Sequence, residues 1–196
     1  RTALVGLGFI GGVHLDALRR LGVNVVGVLG SNPERAAAAA AAAGIDRVFA
    51  DLDELATAEV DVVHITSPNH LHAPQALALL RAGKHVVCEK PLAMTTEQAA
   101  EMTRAAADAG RVAAVCFHNR FYPISAQARG MIEAGEVGSP RLVTGHYLQD
   151  WLTLETDWNW RLDPAAGGAT RAIGDIGSHW LDLVEHITGE RIEQVL

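Results

Sequence analysis

The sequence predicts an α/β protein: a doubly wound parallel sheet, followed by the start of an α+β domain. Three observations point there. Five short apolar runs, each suited to a strand buried on both faces, recur between residues 1 and 120. Helical stretches separate them, so each strand is reached by a crossover and the strands run parallel. The alternation stops near residue 120, where a helix, a partly alternating run and a tryptophan-rich loop take over.

The strands are expected in "TALVG", "VNVVGVL", "DVVHIT", "KHVVCE" and "RVAAVCF". Helices are expected at 11–20, 33–43, 72–82 and 95–109. The second contains eight consecutive alanines, Ala36 to Ala43, between Pro33 and Gly44. Alanine is the strongest helix former, Pro suits a first helical position, and Gly suits the residue past the end. The fourth opens "TTEQ", a helix-start pattern. Beyond residue 120 come a helix at about 123–134, a strand in "RLVTGHYLQ", a helix near 177–188, and "RIEQVL", which reads as another strand beginning. The expected domains are 1–120 and 121–196, the second one incomplete.

Composition narrows the function class. Hydrophobic residues make up 49% and charged residues 20%, an ordinary globular balance. The formal net charge is −7 and there is no basic tract, which argues against nucleic acid or an anionic membrane as partner. A small-molecule partner is expected instead. Cys88 and Cys116 both sit in apolar runs and read as buried thiols, which fits a cytoplasmic protein. No apolar run approaches the roughly 20 residues of a membrane span.

The first strand runs into Gly6-x-Gly8-x-x-Gly11 and then a helix. Gly6 permits a tight turn, Gly8 a close approach to a pyrophosphate, and Gly11 close packing of helix on strand. With Phe9 and Ile10 between them, these residues form a candidate dinucleotide loop whose phosphates sit at the helix N-terminus. An NAD site calls for an acid at the end of the second strand. Here stand Gly30, Ser31 and Asn32, with Arg35 nearby. Without a carboxylate to repel it, a 2′-phosphate can be held by Ser31 and Arg35, so NADP is expected over NAD. Asn32 and Pro33 also suit a helix start, and both readings can hold together.

The fourth strand ends in Glu89, Lys90 and Pro91. Adjacent charges at the end of a buried strand are either a surface ion pair or a site. Lys90 there can hydrogen-bond a substrate hydroxyl and stabilise alkoxide character, with Glu89 ordering it or touching the cofactor. Downstream, "GDIGSHWLDL" holds Asp175 and His179 four apart and Asp182 three further on, one face if helical. With His179 in a first helical turn, the N-terminus favours a neutral imidazole that can accept a proton. A capping Asp and a packed His fit the same letters.

Taken together, the glycine loop, "SPNHLHAPQALALLRAGKHVVCEKPLA" and "GDIGSHWLDL" make the chain resemble the Gfo/Idh/MocA oxidoreductases, in that family's order and over nearly the whole chain. The resemblance implies a Rossmann domain followed by an α+β domain with an open, mostly antiparallel sheet, apparently truncated here. It implies Lys90, Asp175 and His179 as the catalytic set, with His179 the base. It implies a sugar or polyol substrate, no metal, and a homo-oligomer when full length. Ser67, Pro68, Asn69 and His72 would border the ribose and nicotinamide. Asn119 lies past another strand end and joins the cofactor candidates. In "LQDWLTLETDWNWRLDPAAGG", Trp151, Trp158 and Trp160 with Arg161 either meet substrate or cofactor, above all through Trp160 and Arg161, or staple the loop down. The predicted activity is hydride transfer between a secondary alcohol and NAD(P). The rivals are a catalytically silent cofactor-binding sensor of the same fold and a metal-dependent hydrolase using the nine His.

Overall fold

The computed structural model describes residues 1–195. The chain divides into two compact units, Arg1–Cys116 and the residues from Phe117 onward.

The first unit contains β1 (Thr2–Val5), α1 (Phe9–Arg20), β2 (Val25–Leu29), α2 (Pro33–Ala42), α3 (Leu52–Thr57), β3 (Val62–Ile65), α4 (His72–Arg81), β4 (His85–Cys88), α5 (Thr96–Asp108) and β5 (Ala113–Val115). Its five strands form one parallel sheet in the order β2-β1-β3-β4-β5. A lone parallel bridge, Val28 to Val48, sits beyond β2. Counted as a vestigial strand, it completes the six-strand order of a dinucleotide-binding fold, with the reversal of direction between β1 and β3.

Both faces of the sheet are buried at its centre, while β5 at the edge is exposed at Ala113 and Ala114. Ala3, Val5, Val63, Ile65, Val86 and Cys88 pack with Leu55 of α3, Leu79 and Leu80 of α4 and Met102 of α5. Leu4 and Val28 face the other way, against Leu15 and Leu18 of α1 and Ala40 of α2. Helix starts follow local chemistry: Asn32 accepts from Arg35 N at 2.9 Å, Asp51 from Glu54 N at 2.8 Å, and Thr95 from Gln98 N at 3.3 Å. Helix α3 was not predicted, because six residues are too short to show a helical period.

The second unit contains α6 (Pro123–Glu133), a 3-10 turn at Trp160–Leu162, α7 (Pro164–Gly167), and a π-helical turn at Ile173–Gly177 that runs directly into α8 (Ser178–Thr188). The strand expected in "RLVTGHYLQ" is not there: residues 141–149 carry no strand. Their alternation suits a sheet, but a strand exists only when a neighbour answers its N–H and C=O groups. Residues 191–195 of the expected last strand likewise carry no strand, and Leu196 lies outside the described residues. Among the described residues no helix is long and apolar enough to cross a membrane.

Candidate functional site

In the first unit, four chain segments leave the sheet at one edge because parallel strands all end there. Their first residues stay in register: Gly6 N donates to Leu29 O at 2.8 Å, Thr66 N to Val5 O at 2.9 Å, and Glu89 N to Ile65 O at 2.9 Å. This edge gathers Gly6 to Gly11, Gly30 to Arg35, Ser67 to His72, and Glu89 to Pro91.

The glycine loop fits a pyrophosphate. Gly6 has φ +95°, open to glycine and strained for other residues. A Cβ on Gly11 would lie 2.4 Å from Gly6 O, so the helix seats on the strand only because Gly11 has none. A Cβ on Gly8 would meet nothing within 4 Å, which leaves the loop's outer side open to a ligand. Thr66 Oγ1 holds the turn from below, donating toward Val5 O at 3.0 Å and Gly6 O at 2.9 Å. Phe9 is exposed and Ile10 half-buried at the start of α1. Ser31 and Arg35 are exposed. A side chain at position 30 would put Cβ 2.7 Å from that of Ala36, so this backbone has no room there for an acid.

Three expected cofactor contacts have other occupations. Asn32 spends its side chain capping α2. His72 is 1% exposed, its ring between Pro91 O and Ser67 O, both at 2.8 Å. Burial lowers its pKa although both carbonyls favour the charged form. It ties the β3–α4 loop to the β4 loop beneath that edge. Ser67 Oγ donates to Gln75 Oε1 at 2.6 Å, and Asn69 is buried.

Glu89 turns inward and is 9% exposed. Its Oε1 accepts from His14 Nε2 of α1 at 3.0 Å, and its Oε2 from Lys90 N at 3.2 Å. His14 Nδ1 meets His64 Nδ1 of β3 at 2.9 Å, and Cys116 Sγ lies 3.7 Å from His14 Nε2. Burial opposes charge on His14, but hydrogen bonds to Cys116 and Glu89 and their negative charge lift its pKa to about 9. Burial and the His14 charge push His64 down to about 4. Burial alone would raise the Glu89 carboxyl, yet His14 and the Lys90 N–H hold it below its usual range. Sequence reading missed this cluster, although an ionisable His64 inside a buried strand was a visible signal. The ligand-type atoms of His14, Glu89 and Cys116 lie within 4.8 Å of one another. In the hydrogen-bonded arrangement a proton occupies the His14 Nε2 lone pair that a metal would need.

These shifts set a stability window. His14, raised from its ordinary 6.5 to about 9, contributes stability that is complete below about pH 6.5 and lost as pH rises through 9. His64, depressed to about 4, takes up a proton in the unfolded chain before the folded one, so stability falls as pH drops from 6.5 toward 4. Stability is expected to peak near pH 6.5 and to have fallen by roughly 1–2 kcal/mol at pH 8.5, after allowance for solvent screening, with the melting temperature falling accordingly. A melting temperature that rises from pH 6.5 to 8.5 would contradict the buried His14–Glu89 pair.

In the second unit, His179 is 4% exposed, one residue into α8. Its ring stacks on Tyr147 at 6.0 Å and meets His118 and Phe117 edge-on at 5.0 and 5.9 Å. The N-terminal argument for a neutral imidazole does not hold, because the preceding π-turn already takes up the N–H groups at that point; Ser178 N, for one, bonds Ile173 O. Asp175 lies in that turn. Arg161 Nε approaches Asp175 Oδ1 at 3.4 Å, and the guanidinium packs over Trp160 at 4.5 Å with Trp151 at 6.0 Å. Asn159 Oδ1 accepts from Arg161 N at 3.1 Å and fixes its turn. Tyr147, Gln149, Trp151, Arg161, Asp175 and Trp180 line a cleft of about 770 Å³ within this unit. Asn119 is buried, and Arg120 clamps Asp182 of α8 with two hydrogen bonds. Trp158 is largely exposed.

Comparison with known proteins agrees with this geometry. Residues 1–117 match a family described as "Oxidoreductase family, NAD-binding Rossmann fold", and residues 125–196 match "GFO/IDH/MocA C-terminal domain". A levoglucosan dehydrogenase of Pseudarthrobacter phenanthrenivorans is 36% identical over 96% of this chain and 51% of its own length. A 1,5-anhydro-D-fructose reductase of Ensifer adhaerens is 38% identical over 90% of this chain and 52% of its own. A solved structure of a levoglucosan dehydrogenase in complex with NADH and levoglucosan superposes with TM-score 0.86 at 36% identity, covering 96% of this chain and 54% of that one. The chain thus spans about half the length of the curated relatives it matches. A glycine loop that admits no Cβ at its third position, seated at the switch point of a parallel sheet, is what such a fold requires, and the chain belongs to the GFO/IDH/MocA oxidoreductase family.

Proposed function

We propose that the protein is a nicotinamide-dependent dehydrogenase or reductase acting on a secondary alcohol of a sugar or polyol. The observation that carries this reading is the sheet edge itself: an open glycine loop after β1 and the Lys90 strand end after β4 leave the same edge of one parallel sheet, with β3 between them. The bound nicotinamide supplies the hydride acceptor or donor. In the oxidative direction the C–H bond breaks as hydride leaves the carbinol carbon, the O–H proton passes to His179, and a C=O forms. Lys90 polarises the oxygen, and Asp175 positions it together with Arg161. Trp151 and Arg161 line the cleft side by side, an indole next to a hydrogen-bonding guanidinium that Trp160 backs, which suits a sugar ring. Two relatives named for anhydrosugars make an anhydrosugar the first substrate to test.

NADP is the proposed cofactor. Position 30 has no room for a carboxylate, while Ser31 and Arg35 are exposed where a 2′-phosphate would lie. The related solved structure holds NADH, so the test is comparative. Fluorescence titration should show NADPH binding about tenfold or more tighter than NADH, a difference that Arg35→Ala removes. Equal or tighter NADH binding would overturn the cofactor choice and leave the reaction standing. Failure of both to bind the full-length protein would sink the dehydrogenase reading.

A further inference from the structure

We infer that His14 is a positioning residue for Lys90, acting through Glu89 with His64 behind it. The inference rests on the dehydrogenase reading for Lys90's role, and on geometry within the first unit for everything else.

The α1 face of the sheet is apolar where Leu4 and Val28 meet Leu15 and Leu18. Toward β3, β4 and β5 it turns polar. His64 of β3, His14 of α1, Glu89 past β4 and Cys116 past β5 converge there, and His14 and Glu89 are each 9% exposed. Buried ionisable groups are costly unless paired and hydrogen-bonded. Two proton arrangements satisfy both His14 contacts, since a neutral His14 could also accept at Nδ1 from His64; the raised His14 and lowered His64 pKa values select the charged one. The charged His14 ring donates from Nε2 to Glu89 Oε1 and from Nδ1 to His64 Nδ1, so neutral His64 carries its own proton on Nε2. The second Glu89 oxygen accepts from Lys90 N. The carboxylate is therefore clamped between α1, the helix that opens on the glycine loop, and the backbone of Lys90.

Without His14 the buried Glu89 carboxylate loses its hydrogen-bonded countercharge, and of the cations acting on it Lys90 remains. Either it takes up a proton or it turns to the ammonium of its neighbour Lys90. Both outcomes change how Lys90 is presented at the sheet edge, without touching the glycine loop. The other ionisable groups facing His14 are His64 and Cys116, and neither can replace its charge: His64 is held neutral, and a cysteine side chain carries no positive charge.

The test uses the full-length protein with His14→Leu, His14→Gln and the double variant His14→Leu/Glu89→Gln. Readouts are kcat, KM, NADPH affinity, and the rate at which a small amine-directed reagent modifies Lys90, followed by peptide mass spectrometry. His14→Leu should lower kcat about 10- to 100-fold and change Lys90 labelling several-fold, with NADPH affinity within about threefold. His14→Gln keeps a donor to Glu89 and should fall between; it carries the test if His14→Leu does not fold. Adding Glu89→Gln removes the stranded charge and should return both readouts most of the way. Unchanged kcat and labelling in His14→Leu would overturn the inference. So would a joint loss of affinity and kcat that Glu89→Gln fails to restore, since that is what a merely structural role produces. If the wild type turns over no sugar, the dehydrogenase reading falls, and the labelling rates alone decide the fate of His14.

Discussion

Lys90→Met is expected to lower kcat by about three orders of magnitude while leaving dinucleotide affinity within a few-fold. Methionine keeps most of the aliphatic stem and removes the ammonium, so packing at the end of β4 changes little. The backbone N–H that Glu89 accepts is also retained. What is lost is the positive charge that stabilises developing alkoxide as hydride leaves. Steady-state kinetics on the full-length protein, with cofactor titration alongside, checks it. A kcat within tenfold of wild type would make Lys90 a cation at a strand end and nothing more. A parallel loss of cofactor affinity would move its role from substrate to dinucleotide.

The second large effect is at Gly11. An alanine there puts Cβ 2.4 Å from Gly6 O, a backbone atom that cannot rotate away. Thr66 pins that turn from below, so the strain falls on the start of α1. Gly11→Ala should cost about 2–3 kcal/mol of stability and weaken dinucleotide binding about 100-fold or more, because the helix N-terminus moves off the phosphates. Gly8→Ala and Gly12→Ala separate the two consequences. Neither new Cβ meets an atom within 4 Å, so Gly12→Ala, inside α1, should melt at or above the wild-type temperature and Gly8→Ala, at its N-cap, within a few degrees of it. Gly8→Ala should nevertheless bind dinucleotide about tenfold or more weakly, since its methyl group enters the space a pyrophosphate needs. If Gly8→Ala binds normally, the phosphates do not pass over this loop. If Gly11→Ala melts and binds as wild type does, the tight helix–strand seat is not required.

The Rossmann sheet was legible from the letters because parallel strands buried on both faces are nearly continuous apolar runs, and "ALVG", "VVGVL" and "HVVC" are such runs. The glycine loop was legible because its three glycines act within six residues, each for a local steric reason. Lys90 stood out as a charge at the end of a buried strand. Local signals also misled. "RLVTGHYLQ" alternates like a strand, yet residues 141–149 have no partner and form none. Asn32 caps α2, one of the two roles the sequence allowed it, and His72 is a buried tie between two loops, a role no local pattern showed.

Sequence by itself determined the order of the five parallel strands and of α1, α2, α4 and α5 between them, the glycine loop, and the residue types available for chemistry. These rest on short-range sterics and on periodicity, which neighbouring residues express directly. Tertiary structure decided which of those residues meet. His14 finds Glu89 across 75 positions and His64 across 50, and Arg161 reaches Asp175 from a separate turn. The burial of Glu89, and with it the charge on His14 and the neutrality of His64, exists only once α1 lies against the ends of β3, β4 and β5. No local pattern encodes such a pair, because its energy comes from removing water around groups far apart in the chain.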